Sequence, residues 1–295
     1  MLGRRSGSGR AGVLALLLGL GLPLATARAR APEGPGVAVL VYHNFVSDED
    51  AARRPSLLDE MTMSRAQFRA QLEFLKHSRA TALGLDAFAA HVAGTRPAPR
   101  GAVLLVIDDG YESVYKIAWP LLREYGMPAV VAPIVGATEE RDAWVKAHPR
   151  ASPHLSWEEL HEMLQPVHGV ALVALASHTY DMHENLGKQE RALEPVARRA
   201  FDARLLADLK RARAVIAART GQRADYLVWP HGGYTRALVD VAKAAGHAGT
   251  FTDLGEVVRP GADPLNLTRV HAGSGSRSRG ALERNMRTAG WREGN

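Results

Sequence analysis

An α/β fold built around a mainly parallel sheet is predicted by three observations. From residue 36 onward, short runs rich in Val, Leu and Ile alternate with segments of helical periodicity, the pattern of βα units. No fixed-period repeat, low-complexity block or Pro/Ser-rich linker divides residues 36 to 271, so one domain is the simplest organisation. At 295 residues the chain is long enough to bury a core without disulfides or structural metal, and it has no cysteine to supply a disulfide, a thiolate nucleophile or a Cys-based zinc site. Any metal would rest on His, Asp and Glu.

In chain order, the first strand is expected at Gly36–His43 and the first helix at Arg65–His77, with Ser64 as its N-cap. A helix at Asp86–Val92 precedes Ala102–Ile107, whose lack of polar alternation marks a strand covered on both faces. Ser113–Tyr125 reads as helix and Ala129–Pro133 as strand. In Ser156-Trp157-Glu158-Glu159 the Ser156 hydroxyl can accept from the Glu159 amide while the Glu159 carboxylate reaches back, a capping box that starts a helix over Trp157–Leu164. Strand Val170–Ala176 follows. Arg198–Thr220 then spaces Phe201, Leu205, Leu206, Leu209, Val215 and Ile216 as a core-facing helical stripe, and Gly221 supplies the stop. Strand Tyr226–Trp229, helix Arg236–Ala245 and strands Gly249–Thr252 and Leu267–His271 complete a count of seven strands. Two charged stretches, 137–155 and 184–197, adjoin strand ends, where ligand sites of α/β folds collect, and could wall a groove.

Hydrophobic residues at 46% and charged residues at 23% suit a folded globular body and argue against a polytopic membrane protein or a disordered chain. The formal charge of +6 is unevenly placed. Arg4, Arg5 and Arg10 sit in the leader, five Arg against two Glu occupy residues 272–295, and residues 28–271, with all 12 histidines, balance to zero. No nucleic-acid motif is present, and a near-neutral substrate fits the body better than a polyanion. The leader has the plan of an export signal: arginines, an apolar run Ala11–Leu24, then small residues at Ala25, Ala27 and Ala29. That run is 14 residues, short of the roughly 20 a spanning helix needs. Residues 1–29 are therefore expected to be a signal peptide cleaved after Ala27 or Ala29, with an uncleaved anchor as the alternative. Either outcome places the body, residues 30–290, in the periplasm or outside the cell.

Four clusters carry chemistry. Ala102–Ile107 ends in Asp108-Asp109-Gly110-Tyr111, and two adjacent carboxylates at the end of a buried strand are costly unless a cation or a proton resolves their repulsion. Where the backbone turns, one carboxylate can bind a metal while the other faces its bound water. After Val170–Ala176 comes Ser177-His178-Thr179-Tyr180-Asp181-Met182-His183. These histidines are not at the i, i+4 spacing of a helical zinc pair and would converge from a loop; two His and one carboxylate with open positions is a catalytic arrangement. Trp229-Pro230-His231-Gly232-Gly233 is a turn that exposes backbone N–H groups. Tyr42-His43 ends the first strand.

In this order and spacing, Asp108-Asp109-Gly110, the His178 and His183 pair and the Trp229-Pro230 turn resemble the polysaccharide deacetylases of the NodB-type homology domain, carbohydrate esterase family 4. Tyr42-His43, the run Asp108 to Tyr115 and Ser177-His178-Thr179-Tyr180 bring the resemblance nearest to the poly-β-1,6-N-acetylglucosamine N-deacetylases, over about residues 36 to 288. The resemblance implies a distorted (β/α)7 barrel, matching the seven strands. It further implies Asp109, His178 and His183 as ligands of a divalent metal, Zn²⁺ first and Co²⁺ or Ni²⁺ also accepted. Asp108 would be the general base and the His231 backbone N–H an oxyanion donor. The general acid falls to His43, or to His271 on the last strand. Trp229, Pro230, Tyr111 and Tyr180 are candidate substrate contacts.

The implied substrate is an N-acetylated polysaccharide, and the expected protein is a monomer working beside exopolysaccharide synthesis or export machinery. Alternatives are a peptidoglycan or chitooligosaccharide deacetylase, an acetyl esterase with the same centre, or an inactive carbohydrate-binding protein. Val106-Ile107 replaces the family's usual Thr-Phe, and His231 replaces an aromatic. No arginine precedes Pro230, so the charge partner of the base is expected to be missing. No glycoside-hydrolase-like second domain is expected.

Overall fold

A computed structural model describes residues 34–147, 152–253, 255–272 and 279–294. Strands run as β1 (Ala38–Tyr42), β2 (Asn44–Val46), β3 (Thr62–Ser64), β4 (Thr81–Ala82), β5 (Ala102–Ile107), β6 (Ala129–Val131), β7 (Val173–Leu175), β8 (Tyr226–Val228), β9 (Gly249–Phe251) and β10 (Val270–His271). The main sheet is parallel, in the order β10-β1-β5-β6-β7, with β4 added beside the start of β5. β8 and β9 form a parallel pair of their own. Single parallel bridges, Ser177 with Leu227 and Phe251 with Leu267, join that pair to β7 on one side and to the approach to β10 on the other. The seven expected strands therefore succeed one another around a distorted ring, with a single bridge instead of a ladder at two seams.

Alternation along the strands separates an inside from an outside. Val37, Val39, Leu104, Val106, Val130, Val228, Phe251 and Leu267 share one buried cluster with Phe88, inside the ring. Leu40, Tyr42, Leu105, Ile107 and Val131 point the other way, into a cluster with Phe68, Leu72 and Leu75 of the helix Arg65–His77. Both faces of β1 and β5 are thus covered, which is why these strands read as unbroken apolar runs. Each large side chain so buried contributes about 1.5–3 kcal/mol.

Ser64 and Ser156 each close a capping box, with Gln67 and Glu159, at the expected helix starts. Pro195–Thr220 stops at Gly221, whose φ of 70° is left-handed, and buries Phe201, Leu205, Leu209 and Ile216. Three expectations are corrected. Val170–Ala176 shortens to β7 because Val170 lies exposed in a turn; Leu267–His271 shortens to β10; and Ser113–Tyr125 opens with a π-helical turn, Val114–Ala118, before the helix Trp119–Tyr125. Unforeseen short elements include β2 to β4 and the helices Asp48–Arg53, Val135–Glu139, Arg141–Ala147, Leu186–Arg191 and Arg279–Thr288. Too short for a periodic signal, several depend on caps such as Ser47 and Asn185. The expected signal segment, residues 1–29, lies outside the described residues. Among the described residues no helix is long and apolar enough to cross a membrane.

Candidate active site

The candidate residues gather at the C-terminal ends of the strands. The Asp108 N–H still donates to the Tyr42 carbonyl at 2.9 Å, continuing the pairing of β1 with β5. Asp109 then turns left-handed, with φ 63°, and Gly110 follows at φ 71°. A left-handed non-glycine residue costs about 1–3 kcal/mol, and here the turn is held by Ile134 N–H on the Asp109 carbonyl (3.1 Å) and Leu155 N–H on the Gly110 carbonyl (2.8 Å). Gly110 has no substitute, since a Cβ there would meet Pro133 at 2.7 Å. The result of the turn is that adjacent carboxylates face different partners.

Asp109 meets the histidines. Its Oδ1 lies 3.3 Å from His178 Nε2 and 3.2 Å from His183 Nε2, and one ligand atom from each of the three residues falls within 4.8 Å of the others. His178 Nδ1 is committed to the Val228 carbonyl at 2.8 Å, which leaves Nε2 as the free ligand nitrogen. The donor set and its tautomer fit a divalent ion with open positions. Burial opposes a charge on Asp109, but hydrogen bonds from His178 and His183 outweigh it and hold its pKa well below the carboxylate range. Burial likewise opposes charging His178, and its hydrogen bond to Asp109 with the charges of Asp108 and Asp109 raises its pKa on balance.

Asp108 meets a buried cation instead. Arg269, 1% exposed, donates from Nη1 to both Asp108 oxygens at 2.9 and 2.8 Å, from Nη2 to Asp253 Oδ1 at 2.6 Å and from Nε to the Thr252 carbonyl at 3.0 Å. The expectation of a missing charge partner is therefore corrected: the arginine comes from the approach to β10 and not from the turn before Pro230. A charged residue inside the expected strand Leu267–His271 was its signal. Asp253, equally unforeseen, is held below the ordinary carboxylate range, its burial being offset by Arg269 and His271. His43 Nε2 lies 3.7 Å from Asp108 Oδ2, and its pKa is lowered by burial against the pull of Asp108 and Asp109. His271, more exposed, stands 3.8 Å from Asp253 Oδ2 and belongs to the outer edge of the same network.

Beside His183 opens a cavity of about 550 Å³, lined among others by Tyr111, Glu140, His154, Tyr180, Asp181 and Arg211. Tyr111 stacks on His154 at 5.1 Å between centroids. The Tyr180 hydroxyl donates to Glu140 at 3.3 Å, and the Arg211 guanidinium lies 3.7 Å from the Tyr180 ring centroid. Of the first charged stretch, 137–155, the described residues Ala137, Glu140, Ala143, Ala147 and His154 line this cavity. The second packs elsewhere, through Gly187 and Asn185 against the turn at Gly233 and Tyr234. Trp229 exposes none of its surface and stacks on Tyr234, and Pro230 is buried too, so neither offers a sugar-facing platform. Their part is to shape the turn that carries His231, left-handed at φ 54°, with its ring 5.3 Å from that of His183.

A family model described as polysaccharide deacetylase matches residues 95–250. A poly-beta-1,6-N-acetyl-D-glucosamine N-deacetylase of Staphylococcus aureus is 25% identical over 209 residues, 71% of this chain and 67% of the relative. The protein so named in Escherichia coli K12 is 29% identical over 152 residues, 50% of this chain, and the match spans about a fifth of that relative's length, 21%. Among solved structures, IcaB from Ammonifex degensii superposes with a TM-score of 0.67 at 24% identity, covering 84% of this chain and 97% of that one. The BpsB deacetylase domain from Bordetella bronchiseptica gives 0.65 at 25%, covering 81% and 96%. The matched stretch contains Asp108, Asp109, His178, His183 and His231, while His43, Asp253, Arg269 and His271 complete the same strand ends from outside it. The chain belongs to the polysaccharide deacetylase family and is a hydrolytic enzyme of that class.

Proposed function

We propose that the protein is an exported, metal-dependent N-deacetylase of a poly-N-acetylglucosamine exopolysaccharide, β-1,6-linked in preference to β-1,4. The observation that carries the chemistry is the split of Asp108 and Asp109 between a buried arginine and a pair of histidines at one strand end. Asp109, His178 and His183 would hold the divalent ion, Zn²⁺ first. When bound, the ion supplies Lewis-acid polarisation of the acetamide carbonyl and acidifies the attacking water. Asp108 takes the proton of that water as the water adds to the carbonyl carbon. Arg269 keeps Asp108 oriented and compensates its charge out of solvent. The His231 N–H, carried on its left-handed turn beside His183, is the donor assigned to the developing oxyanion.

His43 delivers the proton to the departing amine. It stands against Asp108, whereas His271 stands against Asp253, one residue further out. Burial lowers the pKa of His43, so its protonated form releases the proton readily. The β-1,6 preference rests on the relatives from Staphylococcus aureus and Escherichia coli, and export rests on the leader at 1–29. The test is acetate release by the purified protein from β-1,6 and β-1,4 N-acetylglucosamine oligomers, after chelation and after Zn²⁺ is restored. Zn²⁺-dependent release favouring the β-1,6 oligomer is expected; a strong β-1,4 preference would overturn the linkage, and release unaffected by chelation would overturn the metal.

A further inference from the structure

The histidines of the candidate metal centre lie on a loop that is pinned from both sides, and one of the pins is a carboxylate remote in sequence. Asp208 sits on the helix Pro195–Thr220. Its Oδ1 accepts the Tyr180 N–H at 2.8 Å, and its Oδ2 accepts the Asp181 and Met182 N–H groups at 2.8 and 3.1 Å. These are consecutive amides, and together they span most of the chain between His178 and His183. From the opposite side the Val135 and Gly136 N–H groups donate to the Thr179 and Tyr180 carbonyls at 3.1 and 2.7 Å. A Cβ at Gly136 would fall 2.6 Å from the Tyr180 oxygen, so that approach requires glycine. Thr179 itself is left-handed, with φ 72°, a conformation the loop would leave if released.

We propose that Asp208 is a positioning residue that sets the His178–His183 loop in ligand geometry before an ion arrives. This rests on the metal-centre reading above. Three donors converge on two anionic oxygens, so a carboxylate is required: an amide in its place turns an NH₂ group toward at least one backbone N–H. Asp208 is neither one of the three candidate ligands nor among the residues that line the cavity. Its effect passes through the backbone to His183, as partners behind a ligand commonly do.

The probe is Zn²⁺ alone, measured by competition with a chromophoric chelator on wild type and Asp208→Asn, each checked for folding by a thermal melt without metal. The expected result is Zn²⁺ affinity lowered about 10-fold or more in a variant whose metal-free melt stays cooperative, with deacetylation recovering at saturating Zn²⁺. A folded variant binding Zn²⁺ within about twofold of wild type overturns the proposal. A second measurement needs no variant: in metal-free wild type the amides of residues 180 to 182 should already resist hydrogen exchange, and free exchange there overturns preorganisation. Wild type that binds no Zn²⁺ overturns the metal-centre reading as well, whereas binding by wild type and variant alike overturns only the role of Asp208.

Discussion

Asp108 and Asp109 are neighbours in the chain, yet their surroundings are built from opposite materials. Asp108 is neutralised by a permanent cation, the 1% exposed Arg269, which also grips Asp253. Asp109 is faced by two imidazoles on a loop held by backbone hydrogen bonds. A guanidinium cannot give up its charge at ordinary pH, so it suits the carboxylate proposed as the base. Imidazoles lend lone pairs, so they suit the carboxylate proposed to share an ion with them. The left-handed turn at Asp109 makes the division possible.

The sharpest way to break this comparison is to remove the carboxylate proposed as the base. Asp108→Asn should lower acetate release by about 10³-fold with Zn²⁺ stoichiometry unchanged; retained activity would show that Asp108 is only the arginine's counter-charge. Next, Arg269→Met leaves Asp108 and Asp253 buried without their cation, and should cost about 3–5 kcal/mol in a urea titration together with a large loss of rate. The equivalent lesion on the other side, His183→Ala, should abolish Zn²⁺ binding while costing far less metal-free stability, because His183 is only half-buried. If both variants lose stability equally, the two halves are not built differently.

His43→Gln and His271→Gln, compared for acetate release, should separate the proton donor from its neighbour. A drop of about 10²-fold is expected for His43 and less than tenfold for His271; the reverse order would move the acid to the last strand.

A further effect lies outside the site and isolates stability from chemistry. Burial, with Arg213 adding its charge, lowers the His247 pKa to about 3. The unfolded chain therefore binds the proton first. Stability from keeping this ring neutral is present above pH 6.5 and is lost as pH falls toward 3, at up to about 1.4 kcal/mol per pH unit. His247→Phe should flatten the acid limb of the stability curve, read by urea midpoints between pH 4 and 7, and leave metal binding alone. An unchanged limb would show that other groups set it.

Legibility in the sequence followed distance along the chain. Strand β5 matched its expected range because both its faces are apolar, and the helices behind Ser64 and Ser156 began where their capping boxes placed them. The Asp pair and the His178 to His183 segment could be found because each is a local run after a strand. Arg269 could not be assigned, because 161 residues separate it from Asp108. Asp208 gave no signal at all, being one charged residue among many on a long helix. Trp229 misled for a related reason: an aromatic beside a turn looks the same in sequence whether it faces a sugar or, as here, is fully buried.

The amino-acid sequence by itself determined the α/β class, the seven strand segments and the residue types able to hold an ion, since periodicity, caps and short motifs are properties of adjacent residues. Tertiary structure alone decided which cation faces Asp108, that Asp109 turns toward the histidines and that Asp208 supports their loop. Those are relations between ends of different strands and helices, and a buried charge takes its partner from whatever element the fold brings within about 3 Å.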